Sequence, residues 1–389
     1  MEQVKKILEQ ELKQNIIPFW NDLVDEENGG FYGAVDMAHE VIKEAPKGIV
    51  YISRILYSYS GLYLKYREEK YLALAKVAYD FMINKMHDDE YGGFYWSCTY
   101  DGKPLNNHKH LYGMSFALYG LANYYLACHE DEVLKYANEM YEIIKRNLID
   151  FPNRYHEEYS RQYEVLPNEI MMGYDMIPDI TTNTLLHLAE SISLYYHAGK
   201  NEDAKWYVKQ ILDILFEKCY DYEHDNLYSF LDRDFNNIVN VYSYGHNLEV
   251  SWLFVEIMKL SEIVDRKYFA TCISMFETNF KKAYKNGYVI NQKVNNVIDY
   301  SAIWWIQAET LCALNNINNY YPKKSYINAM RKITDFIVKH FVNEGREWYW
   351  GINEDFSVQT DHSICEMWKA NYHNVRAILR ILEDTDGKY

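Results

Sequence analysis

Every second helical segment of this chain is apolar on nearly all of its faces, yet carries a polar or aromatic group of chemical consequence near its start. Segment 48–66, GIVYISRILYSYSGLYLKY, has almost no face suited to water, and segments 108–128 and 245–264 resemble it. A helix apolar all round belongs inside a protein. Segment 131–148, DEVLKYANEMYEIIKRNL, has one apolar stripe and one charged face, so it belongs outside. The apolar spacing predicts about twelve helices, over 2–17, 48–66, 70–87, 108–128, 131–148, 181–198, 203–219, 245–264, 267–284, 300–316, 324–341 and 366–383, with the even-numbered ones inner. Such alternation fits an open stack of helix pairs as well as a closed ring. Six pairs closed on themselves make an all-α (α/α)6 barrel, which is the fold expected here.

An aromatic turn recurs between many of the pairs. Its copies are Asn28-Gly-Gly-Phe-Tyr-Gly, Tyr91-Gly-Gly-Phe-Tyr-Trp, Asp225-Asn-Leu-Tyr-Ser-Phe, Asn286-Gly-Tyr-Val-Ile and Glu347-Trp-Tyr-Trp-Gly, and each reads as a short β-hairpin. With 7 prolines and no Ser/Gly-rich linker, residues 1–389 read as one domain. The longest irregular stretch, 151–178, contains Pro152, Pro167 and Pro178 and reads as an insertion of the length that often forms a lid.

Composition excludes several classes. A net charge of −16 argues against nucleic acid, whose phosphates call for a basic surface. No apolar run approaches the roughly 20 residues of a membrane span. Met1-Glu-Gln-Val-Lys-Lys6 opens a charged amphipathic helix rather than a signal peptide. The 6 cysteines are scattered and read as reduced thiols. The expectation is a cytoplasmic protein, monomeric or weakly dimeric. There is no P-loop, no GxGxxG after a strand, no GxSxG elbow and no CxxC pair. The 39 tyrosines, 16 phenylalanines and 9 tryptophans fill cores by default, but aromatic rings also stack on sugars.

Three of the 13 histidines stand apart by position: His187, His246 and His373 each lie inside an inner segment, flanked by Asn or Glu. Burying an imidazole is costly unless it is partnered, so three in one set of helices suggest a shared cavity, with His110 near the start of a fourth. HExxH is absent, and the His108-Lys-His110 pair is weak as a metal motif, so no metal site is expected. Arg54, in an apolar helix, needs an anion; it reads either as a salt bridge to Glu249 or Glu309 or as a cation for a developing oxyanion. Trp304, Trp305 and Trp368 lie on the same set of helices. One of the adjacent pair is expected to face away from the cavity and the other to stack on sugar, with Gln307 and Glu309 placed to bond hydroxyls.

These strings together resemble the N-acylglucosamine 2-epimerase superfamily, and within it the branch acting on cellobiose. The resemblance runs nearly end to end, through Ile17-Pro-Phe-Trp20, Asp25 to Tyr32, Ser53-Arg-Ile-Leu56, Lys109-His-Leu-Tyr112, Asn183-Thr184 with His187, Ser243-Tyr-Gly-His246 to Trp252, Ile303-Trp-Trp-Ile-Gln-Ala-Glu309, Glu366-Met-Trp-Lys369 and Tyr372-His-Asn374. It implies an (α/α)6 barrel without metal or organic cofactor that inverts C2 of the reducing-end glucose or mannose unit of a β-1,4-linked disaccharide. By the same resemblance His246 and His373 form the acid/base pair, His187 assists ring opening, Arg54 holds the enediolate and Glu249 orients His246. Tyr112, Asn183, Trp304, Trp305, Glu309 and Trp368 then bind the sugar. Leu185 stands where the family has a His, Asn247 where it has Asp, Asn371 where it has Pro and Ile52 where it has Asn. The candidate catalytic groups survive, so the reaction class carries over while the sugar stays open. An aldose–ketose isomerase acting on mannose or a related monosaccharide would use the same groups. A glycoside hydrolase, a lyase or an inactive carbohydrate-binding barrel are the readings of another class, the first needing two carboxyl groups roughly 5–10 Å apart.

Overall fold

Helices without a polar face must be covered on every side by other helices, and in the computed structural model, which describes residues 1–383, they are. The twelve helices, in chain order, are α1 (2–21, with a π turn at Leu12–Ile16), α2 (Ile49–Tyr66), α3 (Glu69–Phe81, running on into a π turn at Met82–Met86), α4 (Leu111–Cys128), α5 (Asp131–Leu148), α6 (Thr182–Gly199), α7 (Glu202–Glu217), α8 (Tyr244–Leu260), α9 (Arg266–Ala283), α10 (Trp304–Tyr320), α11 (Lys324–Phe336, running on into Ile337–Phe341) and α12 (Tyr372–Leu382). The even-numbered helices pack in sequence, α2 on α4, α4 on α6, α6 on α8, α8 on α10 and α10 on α12, and α12 returns to α2. That last contact closes the ring and decides between barrel and open stack. Helices α3, α5, α7, α9 and α11 each lie outside the inner helix that precedes them, and α1 packs on α11 and α12.

Local chemistry explains the two kinds of helix. In α5 the buried residues Val133, Ala137, Met140, Tyr141, Ile144 and Leu148 recur at helical spacing and leave the charged face to solvent. In α4 nearly every residue from Leu111 to Tyr124 is buried. Its glycines permit the close approach of α2: a Cβ at Gly120 would stand 2.9 Å from the Ser53 carbonyl oxygen, and one at Gly113 would stand 2.8 Å from Ile49.

Short antiparallel pairings pin the starts of the inner helices. Lys47–Gly48 pairs with Ser97–Cys98 before α2, and Lys109–His110 with Glu158–Tyr159 before α4. Ile180–Thr181 pairs with Phe230–Leu231 before α6, Val241–Ser243 with Gln292–Val294 before α8, and Ala302–Ile303 with Gly351–Ile352 before α10. Each pairing fixes the end of a helix that carries a site residue.

The expected aromatic hairpins are realised unevenly. The copies near 225 and 286 form two-stranded ladders, those near 28 and 91 close through single bridges, and the copy at 347 forms no hairpin of its own. The last helix starts at Tyr372 rather than 366, because Glu366 and Lys369 close a turn on each other's backbone and Lys369 reaches in to the Trp348 carbonyl. The 151–178 insertion is tied down at its core: Glu157, 1% exposed, accepts bonds from Thr181, Thr184, Asn168 and Tyr155. None of its residues lines the central cavity, so the lid reading finds no support. Among the described residues no helix is long and apolar enough to cross a membrane, and the six cysteines are unpaired.

Candidate active site

The N-terminal ends of the inner helices converge on a cavity of about 500 Å³. Capping sets the register there. Ser243 caps α8 by accepting the His246 backbone N–H, and Thr181 caps α6 by accepting that of Thr184, one turn ahead of His187. Arg54, Tyr112, Asn183, His187, His246, Glu249, Trp304, Trp305, Trp368 and His373 all line this one cavity. Three expected members do not. His110 caps α4 through the Tyr112 N–H and bonds Asn168 at 2.9 Å, so it is a structural imidazole. Glu309 is fully buried below the wall and bonds His373 instead of facing a substrate. Gln307 likewise is committed, to both backbone groups of Val289.

Each cavity imidazole has its Nδ1 tied to the protein. His187 bonds Glu190 at 2.8 Å, His373 bonds Glu309 at 2.6 Å, and His246 bonds the Ser243 hydroxyl at 2.8 Å. Among the described residues no protein partner takes the second ring nitrogen of any of them, which leaves Nε2 for the cavity. Burial pushes the His246 imidazole down to about 4, and neighbouring His187 adds to the effect. Burial pushes His373 down to about 3 against the opposing pull of Glu309, and lowers His187 against that of Glu190. All three are therefore neutral at pH 7 and able to accept a proton. The resemblance had Glu249 orienting His246; that role belongs to Ser243, while Glu249 bonds Arg376.

Arg54 is 4% exposed and has no carboxylate partner among the described residues. It donates to the Trp368 carbonyl at 2.7 Å and to the Tyr112 hydroxyl at 3.1 Å, and lies over the Phe116 ring at 4.4 Å. The salt bridge to Glu249 or Glu309 that sequence left open does not form; Arg376 takes both carboxylates. Arg54 therefore reaches the cavity with its charge unneutralised.

Below the imidazoles lies a buried ionic cluster. Arg376, 1% exposed, bonds Glu190 at 2.6 Å, Glu309 at 2.7 Å and Glu249 at 2.8 Å. Burial alone would raise the carboxyls of Glu190 and Glu309, but Arg376 and the histidines hold both below the usual range. Burial, with the charge of Glu309 added, raises Glu249 beyond what Arg376 offsets. Glu249, Glu309 and His373 bring ligand atoms within 4.8 Å of one another, the kind of set that holds a metal ion. Here the guanidinium of Arg376 is already bonded to both carboxylates and supplies the positive charge between them, so this donor set is matched to an arginine rather than to a cation from solution.

Both adjacent tryptophans border the cavity, contrary to the expectation that one would turn away. Trp304 is 2% exposed and meets His373 edge-on at 5.4 Å. Trp305 is half-buried and tilts over both His246 (4.9 Å) and His373 (5.6 Å), so its ring is the one available for stacking. Trp368, 39% exposed, stands opposite near Trp96 and Tyr112. Leu185, Asn247, Asn371 and Ile52, the departures from the family strings, do not line the cavity; Asn247, for one, bonds the Leu227 N–H and Asn226. Sequence reading missed Trp350, His362 and Glu366 on the wall and Arg376 beneath it. Arg376 had a signal: an arginine three residues after His373 in an apolar segment shares its helix face.

The N-acylglucosamine 2-epimerase family model matches residues 30–377 of the chain. A cellobiose 2-epimerase of Dictyoglomus turgidum is 32% identical over 385 residues, which is 98% of each chain. The structure of a cellobiose 2-epimerase from Bacillus thermoamylovorans superimposes with a TM-score of 0.94 at 33% identity, covering 98% of this chain and 99% of the other. A D-mannose isomerase shares the fold, with a TM-score of 0.83 at 18% identity over 97% of both chains.

Proposed function

This chain belongs to the N-acylglucosamine 2-epimerase family and is a carbohydrate epimerase, and on that footing we propose that it inverts C2 of the reducing-end glucose or mannose unit of a β-1,4-linked disaccharide such as cellobiose. One observation carries the reading: three neutral imidazoles, each with Nδ1 tied down, share one cavity with an arginine that has no carboxylate partner among the described residues.

The chemistry follows from that set. Inverting C2 of an aldose requires the open-chain form and removal of a weakly acidic proton beside the aldehyde. His187, with Asn183 and Tyr112 near it, assists ring opening and polarises the carbonyl. His373 and His246 serve as the base that takes the C2 proton and the acid that returns one to the other face. The imidazolium formed on His373 meets the Glu309 carboxylate 2.6 Å away, and the negative charge that develops on oxygen meets Arg54. Trp305 stacks on the sugar. Delivery of the proton to C1 instead would yield a ketose, the reaction class of the mannose-isomerase alternative. A disaccharide is favoured by a second cavity, about 530 Å³, that shares Trp305, Trp350 and His362 with the first and is lined by Asn291, Asp299, Gln359 and Asp361, groups suited to sugar hydroxyls. We take residues 1–389 as one catalytic domain, because helices from both ends of the chain are needed to close the ring around the site.

The test is to incubate the protein in heavy water with cellobiose, mannobiose, lactose, glucose, mannose and N-acetylglucosamine and follow C1 and C2 by NMR. Deuterium at C2 with appearance of the C2 epimer of cellobiose is expected; ketose as the first product would favour the isomerase. His246→Ala and His373→Ala are each expected to abolish exchange in folded protein, and retained exchange would remove that residue from the scheme.

A further inference from the structure

Two of the three imidazoles are wired together. His187 bonds Glu190, His373 bonds Glu309, and both carboxylates are gripped by one guanidinium. Arg376 Nη1 donates to Glu190 at 2.6 Å and Nη2 to Glu309 at 2.7 Å, so His187, Glu190, Arg376, Glu309 and His373 form one buried chain of charge-assisted bonds. Sequence does not announce it, since Glu190 and Glu309 lie 119 positions apart. The guanidinium is held from several sides: it lies 4.9 Å over the Trp252 ring and 4.2 Å over the Tyr372 ring, and it bonds the Tyr372 hydroxyl. Trp252 fixes the other oxygen of Glu309 at 3.0 Å, and Tyr372 bonds Glu190 at 3.0 Å. Only a planar fork with two donating nitrogens can serve two carboxylates in this way; an ammonium on a flexible stem cannot.

The charges in the chain add up to a constraint. One positive guanidinium faces two carboxylates, while Glu249, the third carboxyl on Arg376, is pushed towards its neutral form by burial and by Glu309. The two carboxylate–imidazole pairs together therefore lack one positive charge. Among the described residues the other titratable groups facing them include Arg54 and His246 from the cavity, Tyr112 against His187, Tyr57, Tyr119 and Tyr372 at Glu190, and Cys312 at Glu309. Arg54 works against any second proton.

We propose that Arg376 is a positioning residue for the reaction: it locks Glu190 and Glu309 so that each accepts the Nδ1–H of its histidine, and its single shared charge limits the two pairs to one added proton between them. The proposal rests on the histidine-mediated proton transfer proposed above. Its consequence is a division of labour. While His373 holds the proton taken from carbon, His187 stays neutral and continues to serve the carbonyl end.

Arg376→Ala and Arg376→Lys in the 389-residue chain test this, with two readouts. In ¹⁵N-histidine NMR, His187 and His373 of the parent should each show one fixed tautomer with the proton on Nδ1, and both variants should lose it. In C2 exchange with cellobiose, Arg376→Ala should lose about 100-fold in kcat with KM within about threefold. Its acid limb should move up by about one pH unit, since two carboxylates relieved of their cation make both imidazoles more basic. Guanidinium chloride should restore part of the rate. A folded variant that keeps the parent tautomers and the parent acid limb overturns the proposal, whatever its rate. Should Arg376→Ala fail to fold, Arg376→Lys decides by the same tautomer readout and by a kcat loss of about 30-fold, the parent kcat being the refuting result. If the parent itself shows no exchange with any sugar, the proposed function fails while the tautomer readout still judges Arg376.

Discussion

Replacing Glu309 by glutamine isolates the carboxylate under His373 with little change of shape. Glu309 is fully buried and bonds His373 at 2.6 Å, Arg376 at 2.7 Å and Trp252 at 3.0 Å. Glutamine keeps an oxygen for the Nδ1–H but removes the charge that faces the imidazolium once a proton has been taken from carbon. Two unit charges about 4 Å apart attract by about 4 kcal/mol at an effective dielectric of 20. Arg376 shares the carboxylate and offsets part of that, so about half, or 2 kcal/mol, is the differential loss in the transition state, roughly 30-fold in kcat. The pH dependence has a defined sign. Burial already lowers His373, and the Glu309 charge opposes burial; without that charge the acid limb moves further down, not up. The assay is deuterium entry at C2 of cellobiose in heavy water across pH, with thermal melting to confirm the fold. A kcat within about threefold of the parent, or an acid limb displaced upward, would falsify the claim that Glu309 stabilises the imidazolium.

Other expectations follow from the same geometry. With His246 at about 4 and His373 at about 3, the bases stay neutral through mild acid, so kcat/KM should be flat from pH 8 to pH 6 and fall only below about pH 5; a limb near the ordinary histidine value would show that the operative base is not buried. Arg54→Lys should lower kcat by at least about 10-fold beyond any change in KM, because a single ammonium cannot hold the Trp368 carbonyl and Tyr112 while also facing an enediolate; an unchanged turnover number would make Arg54 structural. A Cβ at Gly245 would stand 2.5 Å from Ile306 and 2.7 Å from Trp305. Gly245→Ala should therefore destabilise by about 1–3 kcal/mol and raise KM by displacing the stacking ring, and a parent-like melting temperature and KM would refute the packing argument.

Much of the architecture was legible because burial leaves a linear record. The all-round apolar character of 48–66 and 108–128 and the single stripe of 131–148 each state which layer the helix occupies, and the order of layers is the order of the chain. Closure was not written there, since the packing of α12 on α2 joins segments more than 300 residues apart. The start of the last helix is not written there either, because the turn at 366–369 is held by the Trp348 carbonyl, a partner that no local pattern reveals.

The site divides in the same way. The family strings and the placement of polar residues at the starts of apolar helices singled out Arg54, His187, His246 and His373, and by itself the sequence determined that these groups would be buried and would need partners. Only the tertiary structure decided the partners: Ser243 rather than Glu249 for His246, Arg376 rather than Arg54 for the carboxylates, and a capping duty for His110. The reason is physical. Hydrophobic patterning is read along a single helix, one residue after another, whereas a hydrogen bond inside a barrel is fixed by where two helices from distant parts of the chain happen to meet.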